Sequence, residues 1–148
     1  MACKTLGRMN QLHNFVWLAE QALGLLMYLW PISFGLLLFM VATCISGFPF
    51  TAARFKRGHL LILLPFFLSF LLLVAATLLR HRGPTYDAPT FPVLLINIIF
   101  WLHVPISVAV VYYLKGYRWF AVSIQLLAFW VGAVVLFIAG MAVTDKWL

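Results

Sequence analysis

Residues 119–144 read WFAVSIQLLAFWVGAVVLFIAGMAVT, without a single Asp, Glu, Lys or Arg. An α-helix rises about 1.5 Å per residue, so roughly 20 apolar residues cross a hydrocarbon core of about 30 Å. Three further uncharged stretches of this kind lie upstream, at residues 21–53, 60–79 and 88–114. The sequence therefore predicts an all-α integral membrane protein whose four spans, at about 21–47, 60–79, 91–114 and 119–143, pack as a four-helix bundle.

The composition favours the same class. Of 148 residues, 66% are hydrophobic and 9% are charged, which leaves too little polar surface to cover a water-soluble globule. The segments outside the four spans are short, so residues 1–148 are predicted to form a single membrane domain. We expect a multi-pass protein of a bacterial inner membrane or an organelle membrane.

The segment before the first span has an amphipathic pattern. From Met9 to Leu23, apolar residues recur at helical spacing and polar residues fall mainly between them. This pattern fits either a helix at the level of the lipid headgroups or the water-exposed first turns of a long, tilted span. Within the first span, Pro31 lacks the N–H that a helix interior requires, which predicts a kink near residues 27–31.

The basic residues predict orientation and lipid contacts. The net charge is +7, and every charged residue lies outside the uncharged stretches. The two sides of the membrane receive equal numbers of basic residues, but those of the first and third loops are more densely clustered: Arg54, Lys56, Arg57, Lys115 and Arg118. We therefore expect these two loops in the cytoplasm and both termini on the other side. The clusters also predict binding to anionic phospholipid headgroups rather than to nucleic acid.

His103 is the strongest single-residue candidate, because a titratable side chain is unusual in the middle of a membrane span. A neutral imidazole nitrogen could ligate haem b, with a partner group holding the other nitrogen. The other histidines fall at predicted span ends or before the first span, so a second haem ligand would have to come from another subunit. We favour the alternative that His103 forms a hydrogen bond to a neighbouring helix, and we expect no cofactor.

Other polar and small residues inside the spans are predicted to hold helices together. Asn97 and Gln125 are expected to form interhelical hydrogen bonds, and Ala128 and Gly132 form a small-x-x-x-small pair that allows close helix approach. Hydrolysis or group transfer needs a nucleophile beside a base, or paired carboxylates. The three acids of this chain are widely separated in sequence, so we expect a protein that is not an enzyme.

A basic segment with His59 precedes span two, and residues 100–103 read FWLH within span three. In these features residues 54–143 resemble the small four-span membrane proteins linked with the assembly of haem-copper oxidases. Those proteins tend to carry a histidine after the third span, where this chain has Tyr117 and Arg118. The resemblance implies a role in oxidase assembly that uses His103.

Three functions follow from these features, and the first is ranked highest. It is a non-catalytic accessory or structural subunit of a larger membrane complex, such as an energy-converting or respiratory one, because wide apolar and aromatic surface accompanies almost no reactive chemistry. Its partners would be other membrane subunits and phospholipids. The second is a haem-binding or oxidase-assembly module using His103. The third is a small oligomeric transporter or channel, although charged residues along a membrane path would then be expected.

Overall fold

The computed structural model describes residues 2–47, 61–80, 90–114 and 118–144. Helices cover nearly all of these residues, and no strand occurs among them. The α-helices are α1 Ala2–Tyr28, α2 Trp30–Gly47, α3 Leu64–Leu79, α4 Thr90–Trp101, α5 His103–Tyr113 and α6 Arg118–Thr144. The all-α prediction is confirmed.

Three helical stretches are long and apolar enough to cross a membrane: Leu61–Leu79, Phe91–Tyr113 and Arg118–Thr144. They match predicted spans two, three and four within a few residues and are consistent with a membrane protein. A fourth span results only if α1 and α2 are counted together, and these two helices are bent by 82° relative to each other.

The first span departs from its predicted course. Helix α1 continues without a break through residue 21, where the sequence predicts the start of the span, and the chain breaks at Leu29 instead. The position of the predicted kink is correct, but an 82° break is far sharper than a kinked continuous span. Pro31 explains the position, since its ring excludes a regular helix and it has no N–H for the carbonyl of Met27.

The buried face of α1 follows the amphipathic pattern only in part. Asn14, Leu18 and Ala22 are buried at a spacing of one helical turn, whereas Leu12 and Leu23 are exposed. Residues four apart lie on one face of a helix, so this stripe is the side of α1 that packs on the molecule. Phe15 and Ala19, which belong to the amphipathic pattern, are partly buried against the same core, so the packed face overlaps the predicted apolar face.

Predicted span three contains an irregularity that the sequence analysis did not identify. Helix α4 ends at Trp101 and α5 begins at His103, with a turn at Leu102. Pro105 has no N–H for the carbonyl of Trp101, which accounts for the interruption. Hydrogen bonds from Leu102 N to Ile98 O and from Ile106 N to Leu102 O bridge the turn at Leu102. The two helices still form one span.

Helix α6 occupies the centre of the molecule and contacts each of the other five helices. Its contacts with α2 run in opposite order along the two helices: Ser33 lies beside Trp130, and Thr43 lies beside Ser123. Helices α2 and α6 are therefore antiparallel. The main hydrophobic core lies where α1, α3, α4 and α6 meet, and its most deeply buried members include Leu18, Leu72, Ala76, Ile96, Ala139 and Val143.

The remaining helix directions follow from two levels of contact on α6. Gln125 contacts Ile62 before α3 and Ser107 on α5, while Gly132 lies beside Ser69 on α3 and His103 on α5. Helix α3 is thus parallel to α6, and α5 is antiparallel to it. Spans three and four are antiparallel neighbours, as their short connection predicts, and the helix ends that border residues 48–60 and 115–117 lie at the same end of the molecule.

Candidate functional site

His103 lies at the centre of the molecule, where α3, α5 and α6 meet. Its side chain is 0% exposed. The ring nitrogen Nε2 is 3.1 Å from Ser69 Oγ on α3, and Nδ1 is 2.9 Å from the backbone carbonyl oxygen of Phe100. Both ring nitrogens therefore have hydrogen-bond partners, and the bond to Ser69 joins two different membrane-length helices.

The partners of His103 define its proton arrangement. A carbonyl oxygen only accepts hydrogen bonds, so Nδ1 carries the proton and donates it to Phe100. Nε2 of the neutral ring is then an acceptor, and the Ser69 hydroxyl donates to it. Ser69 Oγ is also 3.3 Å from the carbonyl oxygen of Pro65, a longer contact that offers the same hydroxyl proton an alternative acceptor.

Gly132 of α6 packs against both His103 and Ser69, and these three residues form the His103 cluster. A Cβ atom built on Gly132 would lie 3.0 Å from His103 Nε2 and 3.3 Å from Ser69 Oγ. These distances are shorter than ordinary van der Waals contacts, so a side chain at this position would require His103 or Ser69 to shift by a few tenths of an ångström. Gly132, predicted as a packing residue, thus lies at a close approach of α6 to α3 and α5, and Ala128 one turn earlier is fully buried on the same face.

The surroundings of His103 do not fit an iron or another metal ion. A ligating imidazole needs a free lone pair, with metal–nitrogen distances of about 2.0–2.1 Å for zinc. The lone pair of Nε2 accepts from Ser69, and Gly132 packs directly against the same nitrogen. The proton of Nδ1 is held by Phe100. The geometry thus favours the interhelical role of His103, and among the described residues no group of three or more His, Cys, Asp or Glu could hold a metal.

Gln125 joins three helical segments. Its Oε1 accepts from the Ser107 hydroxyl on α5 at 3.0 Å, and its Nε2 donates to the carbonyl oxygen of Ile62 at 3.4 Å. The Ile62 carbonyl belongs to the short helical turn before α3. Gln125, for which interhelical hydrogen bonds were predicted, thus contacts α5 and the segment before α3.

Asn97 does not form the interhelical bond predicted for it. Its Nδ2 donates to the carbonyl oxygen of Val93 at 2.8 Å, within its own helix α4. The side chain is only half-buried, so it satisfies one donor locally instead of reaching across to a neighbour. The hydroxyls of Thr43 and Ser123, 2.8 Å apart, form the polar contact between α2 and α6.

The break between α1 and α2, residues 27–31, is called the elbow below. Past the elbow, the Ser33 hydroxyl lies 3.1 Å from the carbonyl oxygen of Leu26, and Trp130 Nε1 donates to Ser33 Oγ at 3.1 Å. Ser33 thus replaces a backbone donor lost at the break and is itself held by α6. Sequence reasoning missed this arrangement, although a serine two residues after a mid-helix proline is a signal that could have suggested it.

Two carbonyls of the elbow lose their helical donors. The carbonyl of Met27 has no donor four residues on, because that residue is Pro31. The N–H of Ile32, which would serve Tyr28 in a continuous helix, bonds to the carbonyl oxygen of Leu29 at 3.1 Å. The side chains of Met27 and Tyr28 are 76% and 81% exposed. The elbow therefore leaves these two carbonyls open, in the sense that they lack their regular helical donors, beside two exposed side chains.

The predicted headgroup residues are placed only in part. Arg118 is the first residue of α6, and its side chain is exposed. Arg54, Lys56, Arg57 and Lys115 lie outside the described residues. Sequence reasoning missed a further basic contact at the opposite end of the molecule, where an Arg80 guanidinium N–H donates to Asn14 Oδ1 at 3.1 Å.

That same guanidinium lies 4.7 Å from the centroid of the Trp17 ring. A cation over an aromatic face and a hydrogen bond to a buried amide together fix the end of α3 against α1. Arg80 therefore has a structural role, and its guanidinium packs on the Trp17 ring.

No protein-family model matches this chain, and no curated protein or solved structure matches it significantly. The resemblance to oxidase-assembly proteins therefore rests on the quoted residues alone. What the chain does must be argued from its own geometry.

Proposed function

We propose that this chain is a non-catalytic accessory subunit of a larger membrane assembly, in which α1 and α2 form one broken span of a four-helix bundle. The observation that supports this proposal is the elbow, whose open backbone carbonyls lie at an exposed corner of the molecule. A neighbouring subunit that packs over the elbow would supply the missing hydrogen-bond donors.

The elbow lies near the middle of the membrane-crossing part of the molecule. Ser33, just after the elbow, contacts Trp130, which lies close to the middle of the 27-residue helix α6. At about 1.5 Å per residue, Trp130 is on the order of 20 Å from either end of α6. When α6 crosses a bilayer, the elbow accordingly lies deep in the hydrocarbon region.

Lipid cannot satisfy open backbone groups at that depth. Each unsatisfied polar group costs several kcal/mol in hydrocarbon, and irregular backbone is tolerated there only when protein or a water-filled cavity covers it. The exposure of Met27 and Tyr28 shows that the described part of this chain does not cover the elbow. A partner helix that offers a hydroxyl or amide donor would remove the cost.

Helix α2 provides an apolar surface beside the elbow for such a partner. Thr43 is its only residue with a buried side chain in the described range 30–45. Its exposed large apolar side chains include Trp30, Ile32, Phe34, Leu38, Val41 and Ile45. A helix attached to its own molecule along one narrow stripe leaves most of its circumference for lipid and for other subunits.

The interior of the molecule is suited to holding helices together. Within the described ranges, every buried side-chain nitrogen and oxygen atom has a hydrogen-bond partner. His103, Gln125 and Thr43 each use their polar atoms to join neighbouring helices or to satisfy backbone carbonyls. This pattern supports a scaffold role over a substrate site or a polar transport path.

Site-specific photo-cross-linking in the native membrane tests the proposal. The photoreactive residue p-benzoylphenylalanine replaces Tyr28 at the elbow, and in a matched variant it replaces Ile98, an exposed residue of α4 away from the elbow. We expect Tyr28 to yield discrete cross-links to one or a few membrane polypeptides that also co-purify with the unmodified chain in mild detergent. Ile98 should yield mainly lipid adducts.

Two other outcomes of the cross-linking experiment would contradict the accessory role or the part that the elbow has in it. If the chain purifies alone as a stable, homogeneous species and Tyr28 forms only lipid adducts, an accessory role is wrong. A protein cross-link at Ile98 without one at Tyr28 would retain a partner but remove the elbow as the reason for it.

A further inference from the structure

An open groove of about 550 Å³ lies between α5 and α6 on the outer surface of the molecule. Its walls are almost entirely apolar and include Val104, Val108, Val122, Leu126 and Phe129. Among the described residues that line it, Arg118 is the one that is charged. The volume falls within the roughly 300–1,000 Å³ typical of small-molecule sites in proteins. This α5–α6 groove is distinct from the elbow and from the His103 cluster.

The length of the groove matches one leaflet of a bilayer. Its lining along α6 extends from Arg118 to Phe129. At about 1.5 Å per residue this distance is about 16 Å, close to half of a hydrocarbon core of about 30 Å. A groove of this length accommodates the acyl chain of a lipid that lies along the helix.

The polar groups that line the groove are arranged in a way that an acyl chain tolerates. Ser107 and Gln125 both contribute to its wall, but the Ser107 hydroxyl donates to Gln125 Oε1, and Gln125 Nε2 donates to the carbonyl of Ile62. An apolar ligand would therefore leave neither of these side chains without a partner. A ligand recognised by hydrogen bonds along its length would find little to bind.

The charged residue Arg118 lies where the headgroup of a lipid bound in the groove would be. Arg118 is the first residue of α6, at one end of the groove, and Tyr112 also lines the groove. A guanidinium binds a phosphate through paired hydrogen bonds and is positively charged at any physiological pH. We propose that the α5–α6 groove binds an anionic phospholipid, with an acyl chain along Val104, Val108 and Leu126 and the phosphate at Arg118. This inference is independent of the proposed assembly role.

The test measures lipids that remain bound to the detergent-purified full-length chain, by native mass spectrometry, after supply of phosphatidylglycerol or phosphatidylcholine with identical acyl chains. We expect the chain to retain phosphatidylglycerol in preference to phosphatidylcholine. Arg118→Gln should weaken retention of phosphatidylglycerol about fivefold, the equivalent of roughly 1 kcal/mol for one basic residue near a membrane surface. Arg118→Lys keeps the charge and should restore most of the retention.

A second pair of variants tests the groove itself. Val108, which is 64% exposed, lines the groove, and Val108→Trp should fill it and reduce retention of both lipids. Leu94→Trp places the same bulk at an exposed position of α4 outside the groove and should leave retention unchanged. Equal retention of the two lipids by the wild-type chain, or undiminished retention by Val108→Trp, would overturn the proposal. A photo-cross-link from position 108 to another polypeptide would overturn it in favour of a protein occupant.

Discussion

The hydrogen atom that Gly132 carries in place of a side chain sets the distance between α6 and the His103–Ser69 pair. The sequence analysis identified Gly132 and His103 separately, one as a packing residue and the other as a candidate ligand. The structure shows that they belong to one cluster, in which the glycine makes room for the imidazole ring. Both residues are therefore predicted to matter for stability through the same contact.

Gly132→Ala should destabilise the chain by about 1–3 kcal/mol, the usual cost of overpacking a well-packed site. The new Cβ would lie 3.0 Å from His103 Nε2, and the ring cannot move without weakening its bonds to Ser69 or Phe100. Reversible unfolding in mixed micelles of a mild and a denaturing detergent, followed by circular dichroism, measures the change. Gly140→Ala is the matched control.

A Cβ on Gly140 would meet nothing within 4 Å. Alanine is the better helix former by about 1 kcal/mol, so Gly140→Ala should leave stability unchanged or raise it slightly. If both variants lose equal stability, the cause is general to α6, and the His103 contact is not responsible.

The hydrogen-bond partner of His103 on the neighbouring helix could not be predicted from the sequence. Ser69 lies 34 positions away along the chain. Choosing it among the serines and threonines of the spans requires the register between α3 and α5, which hydropathy does not define. The same argument applies to Trp130 and Ser33, because an indole N–H in an apolar helix gives no sign of which neighbour accepts from it.

At the scale of the helices, length and apolar content predicted spans two to four well, while irregularities and faces were harder. Pro31 correctly marked a break, but proline gives the position of a break and not its angle. On α1, the polar residue Asn14 is buried and accepts from Arg80, so a pattern based on hydrophobicity gave only part of the packed face. Tertiary contacts of single polar residues decided these features.

Pro31→Ala should straighten the elbow, since alanine returns the N–H that the carbonyl of Met27 lacks. Spin labels introduced by Val16→Cys and Val41→Cys, both exposed positions, report the change in a background without native cysteines. For helices bent by 82°, the labelled backbone positions are about 28 Å apart, and in one continuous helix they would be about 37 Å apart. Pulsed electron resonance distinguishes these distances.

Pro65→Ala is the control for this measurement, because Pro65 lies at the start of α3, where no helical N–H is required. It should leave the distance unchanged. A distance that also stays short in Pro31→Ala would show that the contact of Ser33 with Trp130 imposes the elbow and that proline merely tolerates it.

At the scale of the whole molecule, the helix ends that border the first and third loops lie at the same end. This arrangement agrees with the sequence-based prediction that their basic clusters share one side of the membrane. Which side that is stays a prediction from the density of basic residues. The two sides of the membrane receive equal numbers of basic residues, so the number of basic residues alone gives only a weak preference for one orientation.

Membrane-impermeant thiol labelling of sealed vesicles tests the arrangement. In a chain without native cysteines, Gly58→Cys and Lys115→Cys should react from the same side, and Thr85→Cys, in the second loop, should react from the other. The prediction of a cytoplasmic first loop requires that Gly58→Cys be protected in right-side-out vesicles. Labelling of Gly58→Cys and Lys115→Cys from opposite sides would contradict the parallel order of α3 and α6.

The central helix is also the last of the six to leave the ribosome. Before α6 is synthesised, α2 lacks its main neighbour, and Thr43 and Ser33 face hydrocarbon. The side of the His103 imidazole that Gly132 covers is then uncovered. We therefore expect a copy that ends before residue 118 to be far less stable in the membrane than the full chain, because the other helices would lose their common contact surface on α6.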